Sequence, residues 1–596
     1  MGIDKGDIDM KKIILMFAIG IGFMVLFSTL VSADISEIAK IQASDKAAND
    51  QFGNSVSISS DGNTAIVGAH QETTGGAAYI FRWTGTVWSE QAKIQASDKE
   101  ADDSFGKSVS ISSDGNTTIV GASGESSYAG AAYIFRWNGA NWTEQAKIQA
   151  SDAEAMDFLG KSISISSDGN TAIVGASGED IGGTDTGAAY IFRWTGTNWT
   201  QQTKIQASDK EAYDYFGISV SISSDGNTTI VGAYAKDTDG INTGAVYIFR
   251  WDGANWTQQS KIQASDKESE DHFGYSVSIS SDGNSAIVGA RYEDTGGSMA
   301  GAAYIFRWNG TAWSEQAKIQ ASDKEASDQF GQPVSISSDG NTAIVGASGE
   351  DTGGSYAGAA YIFEFDGTTW TEQAKIQASD NQASDWFGSS ISISSDGNYA
   401  IVGANGEDTG ASNAGAAYFF KKEITLPTYT NFTSTESTNF SDVTLSSVTS
   451  LTLAIENKGK IKFPVTHSIN SENEDYDTNI VIEDKVIFVN SSALHSSFNS
   501  SATLTFENVD CNKPYVFYSE TASTFAVILS ENQRCPESLC SNILCADSTL
   551  TVDVEHFTGF AAGADANLTT EAEAGIFYPL DSIEFTAEYI NSTDGT

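Results

Sequence analysis

Cysteine is missing from most of this 596-residue chain: none precedes Cys511, and the four present, Cys511, Cys535, Cys540 and Cys545, lie together near the end. Disulfides and thiolate chemistry are thereby excluded from everything upstream. Histidine is nearly as scarce, with His70, His272, His467, His495 and His556 the full set. None recurs periodically, and none stands in a Ser-His-Asp, HExxH or paired-ligand arrangement. Basic side chains number 32 against 78 acidic ones, for a formal charge of −46. Such a surface repels nucleic acid and anionic lipid, so no nucleic-acid partner is expected. Six prolines against 56 glycines suit a chain of many tight turns. Only one apolar run approaches membrane-spanning length, Ile13 to Val31. It follows Lys11-Lys12 and ends in Val31-Ser32-Ala33, the layout of a secretory signal peptide over 1–33. An uncleaved anchor is the alternative. Either way the rest of the chain is expected outside the cytoplasm, secreted or at the cell surface, with no membrane insertion beyond this segment.

What the chain has instead is repetition. Copies of FGKSVSISSDGNTTIVGA, Phe105 to Ala122, recur seven times between Phe52 and Ala404, and the SDGN aspartates from Asp61 to Asp396 are 53 to 57 residues apart. A fixed period of this size marks a repeat architecture. Within one copy, Val109 and Ile111 alternate with serines, the period of a strand. Asp114-Gly115-Asn116 supplies hairpin-turn residues. Thr118 to Ala122 reads as a second strand, Ala131 to Trp137 as a third, and Thr143 to Ser151 as a fourth. The third strand is apolar on both faces, as a sheet sandwiched between similar sheets must be, so each repeat reads as a propeller blade. Glu37 to Ser44 is a fourth strand with no blade before it, and the seventh copy stops after its third strand at Phe420. The orphan is expected to complete blade seven, which closes the ring and removes exposed edges. Trp88, Trp142, Trp199, Trp256, Trp313 and Trp370, one before each fourth strand, are expected to pack blades rather than to form a ligand platform.

At Phe105-Gly106 and Gly121-Ala122 the chain resembles the FG-GAP repeat family, known from the seven-bladed propeller of integrin alpha subunits. Ser123 stands where that family often has proline, and Leu159-Gly160 replaces FG in the third copy. The resemblance covers Ile41 to about Phe420 and implies a seven-bladed β-propeller over 34–422. Integrin-type calcium loops are not implied, because the first two strands are joined here only by the SSDGN turn.

After Glu423 the composition changes. Residues 423–442 read as a Ser/Thr-rich linker, and short apolar runs over 443–563 as a β-sandwich-like domain. Residues 564–596 resemble the start of a further β-module. In an exported chain the four cysteines read as two disulfides, with three pairings open. Spacings of four residues are loose for zinc.

No catalytic residue and no certain cofactor emerges. Two aspartates recur in every connection from a fourth strand to the next blade, such as Asp98 and Asp103, and are expected to serve the turn. Variable acids between strands two and three, Glu179-Asp180, Asp237, Asp239, Glu293-Asp294, Glu350-Asp351 and Glu407-Asp408, have no evident turn duty and are candidate ligands for weakly bound calcium. Sequons at Asn116, Asn141, Asn198, Asn227, Asn255 and Asn309 all fall on one rim, leaving the opposite loop face bare. Acids crowd that bare face. His70, Lys236, Arg291 and His272 break the blade pattern but are scattered over the sequence, and an enzyme would need at least two of them to converge. The expected function is non-enzymatic recognition of an extracellular protein or surface polysaccharide through the propeller loops. A structural S-layer or envelope role and a propeller hydrolase or lyase are the alternatives.

Overall fold

The computed structural model describes residues 35–422 without a break and, beyond them, strands between 448 and 563. The signal segment 1–33, the linker 423–442 and the module 564–596 lie outside the described residues. Among the described residues no helix is long and apolar enough to cross a membrane.

Residues 35–422 form seven four-stranded antiparallel sheets, six of them pairing their strands in sequence order. In the second blade these are Phe105–Ile111, Thr117–Ala122, Ala131–Trp137 and Trp142–Ile148. The seventh takes its outer strand from the other end of the propeller: Ile35–Ile41 pairs with Ala416–Lys422, from Ile35 opposite Lys422 to Ile41 opposite Ala417. Closure is as expected. The strand begins two residues earlier than Glu37 and ends at Ile41, since the residues after it already turn toward blade one.

The period-2 pattern of the third strand divides its side chains between two interfaces. Tyr133 and Phe135 pack with Ile66, Ala78 and Ile80 of the preceding blade, while Ala132 and Ile134 pack with Ile163, Val174 and Tyr190 of the next. Both faces are therefore apolar. The FG and GA glycines set how closely blades approach. Gly106 adopts φ +92°, and a Cβ there would fall on the Ala77 carbonyl oxygen; one on Gly121 would fall on the Gly160 carbonyl oxygen of the next blade. Any side chain at these positions would force blades apart.

The tryptophans pack between blades, as expected. Trp142 Nε1 donates to Gln91 Oε1 of the previous blade at 2.9 Å, and Trp199, Trp256, Trp313 and Trp370 do the same to Gln145, Gln202, Gln259 and Gln316. Trp88 faces Ile38, the residue at the glutamine position of the N-terminal strand, so it stacks on Phe419 at 3.7 Å instead. At the SSDGN turns, Asp114 accepts from Ser112 Oγ and the Asn116 backbone N–H, fixing the hairpin.

Those turns meet at the axis. Ser113 N–H donates to the Ser167 carbonyl of the next blade, and the pattern runs through all seven blades until Ser395 N–H returns to the Ser60 carbonyl. The serines and the isoleucines two residues before them line an axial cavity of ≈ 160 Å³.

In residues 424–596 the described strands form two five-stranded antiparallel sheets and one two-stranded pair. Cys540 and Cys545 lie on the strand Cys540–Ala546. Cys511 and Cys535 lie outside the described residues, as do all four cysteine side chains, and with them the disulfide expectation.

Candidate recognition face

The end of the propeller opposite the serine ring is built by the connections between blades and by the loops joining strands two and three. Each fourth strand ends in Lys-Ile-Gln, and its lysine turns up into this face. In the sixth blade Lys375 bridges Asp323 at 2.7 Å and Glu350 at 2.8 Å, while the Tyr361 hydroxyl donates to Asp323 at 2.8 Å and Gln377 donates to Glu350. The same arrangement recurs with Lys40, Lys93, Lys147, Lys204 and Lys318. Each aspartate comes from the preceding blade's trailing residues, so each network staples two blades.

This corrects one part of the sequence reading. Glu179, Glu293, Glu350 and Glu407 are buried and engaged by lysine and glutamine. Asp180, Asp237, Asp294 and Asp408 do have turn duty: each accepts the backbone N–H five residues on at 2.8 Å. Asp351 holds the same loop position, and Asp239 lies 3.5 Å from Lys267. Among the described residues no group of three or more His, Cys, Asp or Glu gathers where a metal ion could be held. Glu72 and Glu125, members of the same networks, escaped the sequence reading, as did the seven lysines, because strand alternation does not reveal that a long side chain curls past the strand end.

The recurrent aspartates behave as expected of turn residues. Asp103 Oδ2 accepts the Glu100 N–H, and Asp50, Asp157, Asp214, Asp271, Asp328 and Asp385 cap their own loops alike. Burial, reinforced by a neighbouring glutamate, pushes the Asp157, Asp271, Asp328 and Asp385 carboxyls up to about 6 against the pull of the capping N–H. Asp98, Asp266 and their counterparts go the other way: burial opposes their charge, but hydrogen bonds from lysine and tyrosine outweigh it and hold them low.

Blade four inverts the pattern. Lys236 occupies the glutamate position, is 3% exposed, and reaches Asp214 at 3.3 Å and Glu211 at 2.8 Å. Lys261 is left with Asp209 and the Thr238 hydroxyl.

Nearer the axis the blades stop being copies. The residue after Gly-Ala is His70, Ser123, Ser177, Tyr234, Arg291, Ser348 or Asn405, and the residue after Phe-Gly (Leu-Gly in blade three) is Asn54, Lys107, Lys161, Ile218, Tyr275, Gln332 or Ser389. The divergent side chains form an arc across consecutive blades, in contact with one another from Tyr215 to Gln332. Lys107 feels the positive charge of Lys161, and His70 that of Lys107. Lys161 lies over Phe158, 5.8 Å from its ring centre. Tyr215 stacks on Tyr234 at 5.6 Å, and Tyr234 meets His272 at 4.8 Å and Tyr275 at 5.5 Å. Arg291 is sandwiched between Tyr275 and Tyr292, with its guanidinium carbon 3.6 and 4.4 Å from the ring centres, and donates to Gln332. His272 is 8% exposed and its Nδ1 has no partner. Burial first, then Arg291, lowers it to about 4, so it is neutral at pH 7. Two of the scattered outliers, His272 and Arg291, thus converge, while His70 joins the far end of the arc and Lys236 stays in its own staple.

On the opposite rim, Asn141, Asn198, Asn255 and Asn309 are exposed in their hairpins. Asn116 and Asn227 are half-buried, and their side chains accept from Arg82 and Arg193 of the preceding blade.

Comparison with curated proteins finds no match. The FG-GAP repeat matches seven times, over residues 35–81, 88–135, 142–192, 199–249, 256–306, 313–363 and 370–420. Each match starts on a fourth strand and runs through the next blade's first three, so the repeat unit straddles the very interface that the lysine staples cross. This protein belongs to the FG-GAP repeat family.

Proposed function

We propose that this protein is a non-catalytic recognition propeller, secreted or held at the cell surface, that binds an extracellular protein or surface polysaccharide through its loop face. The observation that carries the reading is the contrast between strands that are near copies in all seven blades and the arc around the loop-end mouth, where only blades two and three carry the same pair of residues. Packing explains the copies; it gives no reason for the differences. FG-GAP repeat propellers are typically non-catalytic and often extracellular, which fits. Export also fits the apolar segment near the N-terminus. In this proposal calcium is limited to the outward oxygens of Asp180, Asp237, Asp294, Asp351 and Asp408, at the ~10⁻⁴ to 10⁻³ M affinity of loosely built extracellular sites.

The test is retention of the full chain on isolated cell-envelope material. A variant carrying His70→Ser, Tyr234→Ser and Arg291→Ser, residues that other blades already have at this position, should lose retention. Asn309→Ser on the opposite rim should not. Equal retention of both variants, or none of the parent chain, defeats the proposal.

A further inference from the structure

The arc carries more cationic character than the rest of the molecule would suggest. Among the described residues Lys107, Lys161 and Arg291 make no ion pair, although the chain has more than two acids for every base. Elsewhere on this face, six of the seven lysines that end the fourth strands meet two carboxylates each, and Lys261 meets one carboxylate and a hydroxyl. Lys107 is half-buried and pushed below the ordinary lysine value by burial and by Lys161, while Lys161 itself is exposed and feels the opposing pull of Asp185. Two like charges thus share one edge of the mouth within reach of solvent, a configuration that an anion relieves. Arg291 is held by two tyrosine faces with its fork unclaimed by any carboxylate, the geometry suited to bidentate recognition of one.

Beside these cations stand flat aromatic surfaces and an unsatisfied polar atom. Tyr234 and Tyr275 border Arg291, and the neutral His272 Nδ1 is buried without a partner, which is costly unless a ligand completes it. Aromatic faces next to charge-assisted donors and a neutral imidazole suit a ligand with apolar C–H faces, hydroxyls and carboxylates. A peptide ligand usually gains main-chain hydrogen bonds from a free sheet edge. The inner strands are the edges of their sheets, but their outer N–H groups are taken by serine hydroxyls of the preceding blade, as Ile111 N–H is by Ser57 Oγ and Ile165 N–H by Ser110 Oγ, so no continuous edge is offered here.

Resting on the recognition reading above, we infer that the arc formed by Lys107, Lys161, Tyr234, His272, Tyr275 and Arg291 is a binding site for a carboxylated polysaccharide, a polymer of uronic acid type. The two lysines and Arg291 take successive carboxylates, the tyrosines take the sugar faces, and His272 Nδ1 takes a hydroxyl.

The probe is oligogalacturonate, titrated calorimetrically into the full chain at fixed ionic strength beside its methyl ester, dextran sulfate and poly-glutamate. The acid form should bind, and the neutral ester should bind at least tenfold more weakly. Lys107→Asn, Lys161→Gln and Arg291→Ser import residues that other blades carry at the same positions, so circular dichroism and the melting temperature should stay unchanged. Together they should reduce affinity at least tenfold. Equal binding of acid and ester, undiminished binding by the triple variant, or no binding of oligogalacturonate overturns the inference. Tighter binding of dextran sulfate or poly-glutamate overturns it too, in favour of a sulfated polymer or an acidic protein. Loop-face-dependent retention on envelope material combined with failure here would sink only this assignment and leave the recognition reading standing.

Discussion

Blade four offers a way to separate charge pairing from mere burial. Replacing Lys236 by Met removes the only cation near Asp214, which is 2% exposed and otherwise capped by the Glu211 N–H. In four of the six blades lacking that lysine the equivalent aspartate is pushed up to about 6, and in the other two, Asp50 and Asp103, it is raised. Asp214 should move to the same value, about two pH units above the ordinary 3.8, so that its ionised form at pH 7.5 costs the fold about 1.4 kcal/mol for each pH unit of that rise, or up to roughly 3 kcal/mol. That loss is comparable with the ~3 to 5 kcal/mol of a broken buried pair, and proton uptake relieves it only as pH falls through about 6. Lys236→Glu makes the same change at Asp214 but restores the pattern of the other blades: Lys261 regains a carboxylate and Gln263 an acceptor. Those interactions should return about 1 to 2 kcal/mol, leaving the charge reversal less damaging than the neutral substitution. Urea unfolding followed by tryptophan fluorescence at pH 7.5 and 5.5 reads both effects. The methionine variant should be destabilised at pH 7.5 and regain about 1 kcal/mol at 5.5, with the glutamate variant above it at both. A glutamate variant no more stable than the methionine one, or a methionine penalty independent of pH, refutes the reasoning.

Three further outcomes are expected. Deleting 35–41 opens the ring at blade seven and should lower the melting temperature of the propeller far more than deleting exposed hairpin residues; an unchanged transition would show that the strand is dispensable. Gly121→Ala, whose Cβ meets the next blade's backbone, should be much more destabilising than Gly139→Ala, where the space is open and only the positive φ costs about 1 kcal/mol; parity would remove the close-approach argument. Stability should rise as pH falls from 7 toward about 5. Aspartates raised above their unfolded value take up protons in the folded state first, whereas the lowered ones, such as Asp98, keep their contribution until pH drops below the ordinary carboxylate range. His70 and His272, held down near 3 and 4, oppose the rise below pH 6.5 but are outnumbered. A melting temperature falling steadily from pH 7 to 4 would contradict this.

The blades were legible because a strand's period of two and a repeated turn are local signals, and seven copies average out accident. Ring closure followed from one surplus strand and one missing strand. The recognition face was legible only in part. Glu350 and Asp351 are adjacent in sequence and looked like a ligand pair, yet one is buried under Lys375 and the other stands on the loop, a distinction made by a lysine from the following strand. Arg291 and His272 lie nineteen residues apart across a strand pair, and nothing local says that both side chains meet over Tyr292. The cationic arc was hidden by the total charge, which is dominated by acids already neutralised in staples.

The circle of serine backbone bonds around the axis has a consequence for how the molecule comes apart. Every N–H in it points the same way round, so each bond has a neighbour on either side and the chain of dipoles has neither head nor tail. An open array of repeats can fray from its ends, one unit at a time. A circle has no end to start from: losing any one blade strands a donor on one side and an acceptor on the other, beside the serine-lined axial cavity. Partial unfolding therefore carries a fixed surcharge at the first step and none afterward, which makes the seven blades a single cooperative unit.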